Sequence, residues 1–402
     1  MIQNVRICGL ISLRNRYILL MGKQQKFFFD FLRFCIGSES EKPDTLVDAD
    51  WKEIYTIAQK QCLVGVLFDG IKKLPAEHIG MKKELLLQWM AESQMLEKAN
   101  VRLNDAAIQV SEWFRKKGFR TCILKGQGNA LMYPNPYSRT PGDIDIWVEG
   151  GDKRVISFVR SISPHEKACY HHIEFPSYKG VEVEVHYRPS FLLCSWHNRK
   201  LQKYYDRVKE EQFSHRVMLG EQGEVAIPAA EFNVIFQLTH IFTHLMNEGI
   251  GLRQLLDYYF VLSMLSVNYE KLTSLQKDLK ELGLWKFARA IMYIMQVVFG
   301  MPASRLIVPP NEKYGKFVLN EVLEAGNFGK HDGRNCFGKS QLGHNLQRVY
   351  RDMRLVRYFP AEALCEPIFR VWHFFWRMKN KKYIWANGSL PFLIKLLFGD
   401  GA

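Results

Sequence analysis

Asp143 and Asp145 stand two apart in the run Gly142-Asp143-Ile144-Asp145-Ile146-Trp147-Val148. On a strand, alternate side chains share a face, so both carboxylates point one way while Ile144 and Ile146 point into a core. Two acids held side by side repel, and a shared divalent cation relieves that repulsion while leaving positions for phosphate oxygens. A third acid is expected from a neighbouring strand. Val181-Glu182-Val183-Glu184-Val185-His186 alternates strictly, with Glu182, Glu184 and His186 on one face and three valines on the other. Upstream, Leu124-Lys125-Gly126-Gln127-Gly128 reads as a glycine turn able to face a phosphate, with Arg139 in the loop that follows.

These residues need a framework. Residues 23 to 100 read as helices: Asp48-Ala49-Asp50-Trp51 offers capping acids ahead of the stripe Ile54, Ile57, Ala58 and Cys62, and Met81 to Leu96 has helix-forming composition. A separate helix is expected from about Leu103 to Lys117, ending at Gly118, then a strand over Arg120–Leu124. The glycine turn leads to a short helix, Asn129 to Tyr133, stopped by Pro134 and Pro136. After the Asp143 strand come a helix near Asp152 to Ser161 and strands at His171 to Phe175 and Val181 to Tyr187. The order β-turn-α-β-α-β-β gives a small mixed sheet with helices on it and gathers the candidate residues along one edge. From Ala229 onward the pattern is helical: Phe232 to Met246, Gly251 to Leu265, Leu272 to Leu282, Leu284 to Val298, and basic helices after Gln341. The expected organisation is a helical region over 1–100, an α/β core over 101–228 and a helical region with a basic tail over 229–402.

A chain of 402 residues, 47% hydrophobic and 13% aromatic, can bury substantial cores, which excludes a disordered protein. Eight cysteines at irregular spacings include no Cys-x-x-Cys pair, so a reduced, cytoplasmic chain with core cysteines is expected and a zinc site is not. No apolar run is long enough for a transmembrane helix. Arg14, Asn15 and Arg16 interrupt the first apolar stretch, and Met21 is the better start, so residues 1–20 are expected to lie outside the natural chain. The net charge of +14 favours anionic partners. Between Lys339 and Lys382, ten Lys and Arg face three acids, concentrating half the excess in about a tenth of the chain.

The ordered set Leu124-Lys125-Gly126, Tyr133-Pro134, Arg139, Asp143-Ile144-Asp145 and Glu184-Val185-His186 resembles the nucleotidyltransferase superfamily. It is most similar to the bacterial branch of uncharacterised nucleotidyltransferases labelled NTP_transf_5. The resemblance extends to Asp50-Trp51, His240-x-x-x-His244, and Leu252-Arg253 with Asp257. It implies a nucleotidyltransferase-like α/β core flanked by helical regions. The implied reaction moves a nucleoside monophosphate from an NTP donor to an acceptor hydroxyl with two Mg²⁺ or Mn²⁺ ions, pyrophosphate leaving. Asp143, Asp145 and Glu184 would hold metal, Glu184 also helping to deprotonate the acceptor. Backbone N–H groups near Gly126 and Gly128 would hold phosphate, Lys125 and Arg139 would neutralise the triphosphate, and His186 would face the substrate. The superfamily usually carries Gly-Gly or Gly-Ser at the turn where this chain has Lys125-Gly126-Gln127-Gly128. For the third acid, Glu184 fits the acid-x-His pattern, with Glu182 and Glu174 as alternatives.

Plainer expectations stand beside these. His171 and His172 face opposite sides of their strand, so at most one reaches the cleft. His240 and His244 are expected in core or interdomain packing, and Arg253 with Asp257 as an i,i+4 pair on a helix surface. Arg348, Arg351, Arg354 and Arg357 recur every third residue and can contact an acidic acceptor such as tRNA. Phe369 to Trp376, Lys379 to Lys382 and Leu390 to Phe398 can instead lie on a membrane surface, or the tail can simply cap the core. Two other functions compete with transfer: a non-catalytic binder that contacts nucleic acid or a protein through the basic tail, and hydrolysis of a phosphoester on the same metals.

Overall fold

Branched residues alternating with acids bury one face of a four-stranded sheet. The computed structural model describes residues 23–43, 46, 49–75, 79–221, 223–266, 268–330, 332–334 and 341–380. The expectations about residues 1–20, Met21, Cys8, Cys336, Lys339, Lys381, Lys382 and Leu390 to Phe398 lie outside them. Four helices come first: α1 (Lys23–Ile36), α2 (Trp51–Gln61), α3 (Val64–Ile71) and α4 (Lys83–Lys116). Then follow β1 (Thr121–Ile123), α5 (Gln127–Ala130), β2 (Ile144–Val148), α6 (Gly151–Ile162), β3 (His172–Tyr178) and β4 (Val181–His186). A helix α7 (Ser195–Ser214) and a hairpin of β5 (Arg216–Leu219) and β6 (Gly223–Ala226) close this part. The remainder is helical: α8 (Ala230–Asn247), α9 (Leu252–Met264), α10 (Tyr269–Glu281), α11 (Trp285–Val297), α12 (Glu312–Ala325), α13 (Gln341–Leu355) and α14 (Pro360–Asn380). The chain is therefore mixed α/β, a small mixed sheet among fourteen described helices.

The sheet order is β1-β2-β4-β3, with β2 and β4 parallel and both outer pairings antiparallel. One face, carrying Ile144, Ile146, Val148, Val183 and Val185, packs with Ala107, Val110 and Phe114 of α4 and Val155 and Val159 of α6 in one core. The opposite face carries Asp145, Trp147, Glu184 and His186, where Trp147 stacks at 5.9 Å on Phe232 of α8. A second core joins the N-terminal and C-terminal helices. Arg33 of α1 is buried and donates to the carbonyls of Val297 and Val298 at 3.0 and 3.2 Å, satisfying the orphan end of α11.

Several elements differ from the sequence reading. The stretches Met81–Leu96 and Leu103–Lys117 are parts of one 34-residue helix, because nothing between them breaks a helix and residue 100 falls in its middle. Buried Asn100 there donates to the carbonyls of Tyr137 and Arg139, each at 2.8 Å, anchoring the loop before β2. The helix after the glycine turn is earlier and shorter than expected, four residues from Gln127. Lastly, α7 and the β5–β6 hairpin were not anticipated. Their signals exist: Leu201, Tyr204, Tyr205 and Val208 fall at helical spacing, and Gly220 and Gly223 bound a turn between two short alternating runs.

Candidate functional site

The parallel register of β2 and β4 places Asp145 directly opposite Glu184 and Trp147 opposite His186. Asp143 lies one residue before β2 and shares the face of Asp145. One carboxylate oxygen each from Asp143, Asp145 and Glu184 lies within 4.8 Å of the others, a group able to hold a cation. Asp145 is 1% exposed, and the structure divides its two oxygens sharply. Oδ1 accepts a hydrogen bond from His186 Nε2 at 2.9 Å and meets the Lys125 ammonium at 3.1 Å, whereas Oδ2 is buried without a hydrogen-bond partner. A buried carboxylate oxygen left bare costs about 1–3 kcal/mol or more, so such an atom calls for a ligand. Glu184, about one-third exposed, has Oε2 at 3.3 Å from His172 Nδ1 and 3.4 Å from His186 Nε2.

The charges settle accordingly. Burial opposes charge on His186, yet its hydrogen bonds to Asp145 and Glu184 lift it to about 9. Burial also opposes ionisation of Glu184, yet the hydrogen bond from His186 and the neighbouring histidines hold it down to about 2. Asp145 is lowered, despite burial, by Lys125 and His186, and Lys125 is raised, despite desolvation, chiefly by Asp145. Burial keeps the surrounding imidazoles neutral: His172 falls to about 4, and His171 and His240 lie well below the ordinary histidine value. The centre thus pairs fixed carboxylates with two cations inside a ring of neutral histidines.

A cleft of about 420 Å³ opens onto this centre, lined also by Phe191, His244, Phe328 and Lys330. Several residues stand elsewhere than the sequence implied. His171 and His172 both line the cleft, because β3 begins only at His172 and His171 precedes the alternation. His240 and His244, on one face of α8, line it too, with His240 Nε2 at 3.4 Å from Lys125 Nζ, so they are not core-packing residues. Their i,i+4 spacing was the signal for this. Glu182 and Glu174 are exposed, unlike Glu184.

The phosphate-binding expectations fare differently. Gly126 has φ +68°, so the turn needs a glycine. Gly128 is buried, and a Cβ there would lie 3.0 Å from Ile227 Cγ2, so its missing side chain makes room for packing rather than for a ligand. The four-residue helix is also too short to gather much dipole at its N-terminus. Arg139 is 3% exposed and clasps Asp257 of α9 bidentately at 2.8 Å from both Nε and Nη2, while the Tyr133 hydroxyl donates to the same carboxylate at 2.7 Å. Its charge is thereby spent inside the protein. Arg253 does not form a surface pair with Asp257, since both are buried. It lines a small cavity of about 20 Å³ that adjoins the cleft at Lys125, Asp143 and Asp145, its Nη1 donating to the Thr140 carbonyl at 3.0 Å and its Nε without a partner. Sequence reasoning missed this guanidinium as a site residue.

The basic tail is only partly displayed. Arg351 donates to the Asn247 carbonyl, Arg354 pairs with Glu321 at 3.1 Å, and Arg370 with Glu366 at 3.2 Å, so every-third-residue spacing does not make a free stripe. Arg348 and Arg357 are exposed. Among the described residues no helix is long and apolar enough to cross a membrane.

The uncharacterised nucleotidyltransferase family, NTP_transf_5, matches residues 48–300, which include the whole sheet and α2 through α11. Among solved structures, the crystal structure of an antigenic nucleotidyltransferase-like protein from Paracoccidioides brasiliensis is similar, at 14% identity and a TM-score of 0.28, covering 50% of this chain and 97% of that one. No curated protein matches the chain.

Proposed function

The chain belongs to the uncharacterised nucleotidyltransferase family, and from that premise we propose that it moves a nucleoside monophosphate from a nucleoside triphosphate to an acceptor hydroxyl, releasing pyrophosphate. The observation that carries this reading is the bare, buried Oδ2 of Asp145 with oxygens of Asp143 and Glu184 close by. Those three carboxylates are the groups that would hold Mg²⁺ or Mn²⁺, which when bound offset the charge on the attacking and departing oxygens. Lys125, held by Asp145 and by His240, is the cation that turns to the triphosphate, with Arg253 in the small adjoining cavity taking the part first assigned to Arg139. Glu184 accepts a hydrogen bond from the acceptor hydroxyl and helps to draw off its proton, which passes to solvent, while neutral His172 stands beside it. His186, charged and bonded to both Asp145 and Glu184, keeps the two carboxylates in place.

Incubation with α-labelled nucleoside triphosphates, Mg²⁺ or Mn²⁺, and pools of small hydroxylated metabolites, RNA and protein tests this. Label transferred to an acceptor with equimolar pyrophosphate, abolished in Asp143→Asn/Asp145→Asn, supports the proposal. Nucleoside monophosphate or orthophosphate without labelled acceptor contradicts it in favour of phosphoester hydrolysis.

One observation favours a second reading, a binder without catalysis. Lys125 and His186 both pair with Asp145, so the protein's own cations already face that carboxylate. Nucleotide or RNA binding that is indifferent to Mg²⁺ and survives loss of both aspartates is the result this reading expects, with exposed Arg348 and Arg357 as contacts.

A further inference from the structure

Away from the cleft, two short sequence pairs meet. Cys194 is the cap residue just before α7, with His197 one turn on, and Glu362 lies in the first turn of α14, with Cys365 one turn on. Each pair sits on one face of its helix. Ligand atoms of Cys194, His197 and Glu362 all lie within 4.8 Å of one another, and the Cys365 thiol stands next to them, near enough to that of Cys194 to interact with it. We propose that Cys194, His197, Glu362 and Cys365 form a tetrahedral zinc site that fastens α14 to α7, separate from the nucleotide cleft.

The donor set carries the identification. Two sulfurs, one imidazole and one carboxylate suit zinc, whereas Mg²⁺ and Ca²⁺ prefer oxygen throughout, and four protein ligands make the closed, structural type of site. Tetrahedral zinc bonds place ligand atoms roughly 3.4–3.8 Å apart, so Cys194, His197 and Glu362 need only small side-chain adjustments, and the Cys365 thiol must turn in to complete the set. The support around the ligands is already in place. Glu362 Oε2 accepts from the backbone N–H groups of Leu193 and Cys194 at 2.7 and 2.9 Å, leaving Oε1 turned to His197 Nδ1 at 3.0 Å. The His197 ring occupies space that only a glycine leaves open, since a Cβ on Gly283 would lie 2.3 Å from His197 Cε1. Binding requires that both thiols release their protons to solvent while His197 stays neutral and Glu362 ionised. Neither half of the set is a zinc motif alone, and the absence of Cys-x-x-Cys gave no sign of it.

The consequence reaches the cleft wall. Phe369 of α14 stacks on cleft-lining Phe191 at 5.1 Å, so a metal tying the start of α14 to α7 fixes that wall.

Metal analysis of tag-free protein, purified without chelator and dialysed after exposure to Zn²⁺, tests the site. One zinc per chain is expected, falling to near none in Cys365→Ser and Cys194→Ser and unchanged in Asp145→Asn, which separates this site from the nucleotide site. Cobalt exchanged into the wild-type protein should give thiolate-to-cobalt charge-transfer absorption, a result that holds even where the serine variants fold poorly. Wild-type protein that keeps no zinc and shows no such absorption overturns the proposal. So does undiminished zinc in folded cysteine variants, or a Cys194–Cys365 disulfide found by peptide mapping.

Discussion

Asp145 and Glu184 are register partners on the parallel strands β2 and β4, so the ladder that holds the sheet together also sets the separation of their carboxylates. Asp143 joins them from the residue before β2, and the buried apolar faces of both strands lock the register, because a slip of one residue would turn every acid into the core. The centre is thus as rigid as the sheet beneath it.

Closeness to Asp143 and Asp145 favours Glu184 among the candidate third acids. Glu184→Gln is expected to lower transfer by about 100-fold or more, since even residues that merely support a metal ligand cost 10–100-fold. Glu182→Gln, at an exposed position on the same strand, should stay within about 2-fold of the parent. Steady-state rates on the identified nucleotide check both.

Arg139 and Asp257 form a buried pair, 4% and 5% exposed, and are expected to govern stability more than nucleotide affinity. Arg139→Ala should cost about 3–5 kcal/mol by stranding the Asp257 carboxylate. Arg139→Lys should recover only part of this because it cannot repeat the two-pronged contact. Urea unfolding measures the loss. A wild-type unfolding curve for Arg139→Ala with lost nucleotide binding would restore the phosphate role.

Asn100 holds the loop before β2 through the carbonyls of Tyr137 and Arg139. Asn100→Ala leaves those acceptors buried and bare, with an expected loss of about 1–3 kcal/mol. A drop in melting temperature together with weaker nucleotide binding would follow, since this loop leads into Asp143.

The α13–α14 pair carries a pH signature. Burial and the neighbouring Glu366 carboxyl raise Asp352 to about 7. An unfolded aspartate titrates at about 4, so the native state keeps a proton that the unfolded state releases, and stability falls as pH rises from about 4 to about 7. Asp352→Asn should remove that fall, raising the melting temperature at pH 8 by a few degrees and changing little at pH 4. Thermal unfolding at the two pH values reads it.

The sheet and its acids were legible because alternation of valine or isoleucine with carboxylates has one physical reading, a strand with one dry face. What escaped was set by distance along the chain. Arg139 finds Asp257 118 residues later, and no local pattern tells a buried, paired arginine from one awaiting phosphate. The histidines at 240 and 244 carried helical spacing but not the direction of their helix face, which depends on how α8 packs against the sheet. Gly128 packs closely against Ile227, and a glycine needed for such packing looks the same in sequence as one needed by a ligand. Asp50, by contrast, was readable as a cap, and its Oδ1 accepts from Lys52 and Glu53 N–H at 3.1 and 3.0 Å.

The central claim is that the carboxylates around Asp145 hold a divalent cation together with a nucleoside triphosphate. Thermal unfolding of wild type and Asp145→Asn with each of the four common triphosphates, with and without Mg²⁺ or Mn²⁺, tests it most directly, since a ligand that binds only the native state must raise the melting temperature. The account predicts a rise in wild type that needs both nucleotide and metal and vanishes in Asp145→Asn. An equal rise in the variant, or a nucleotide effect indifferent to the metal, would contradict it.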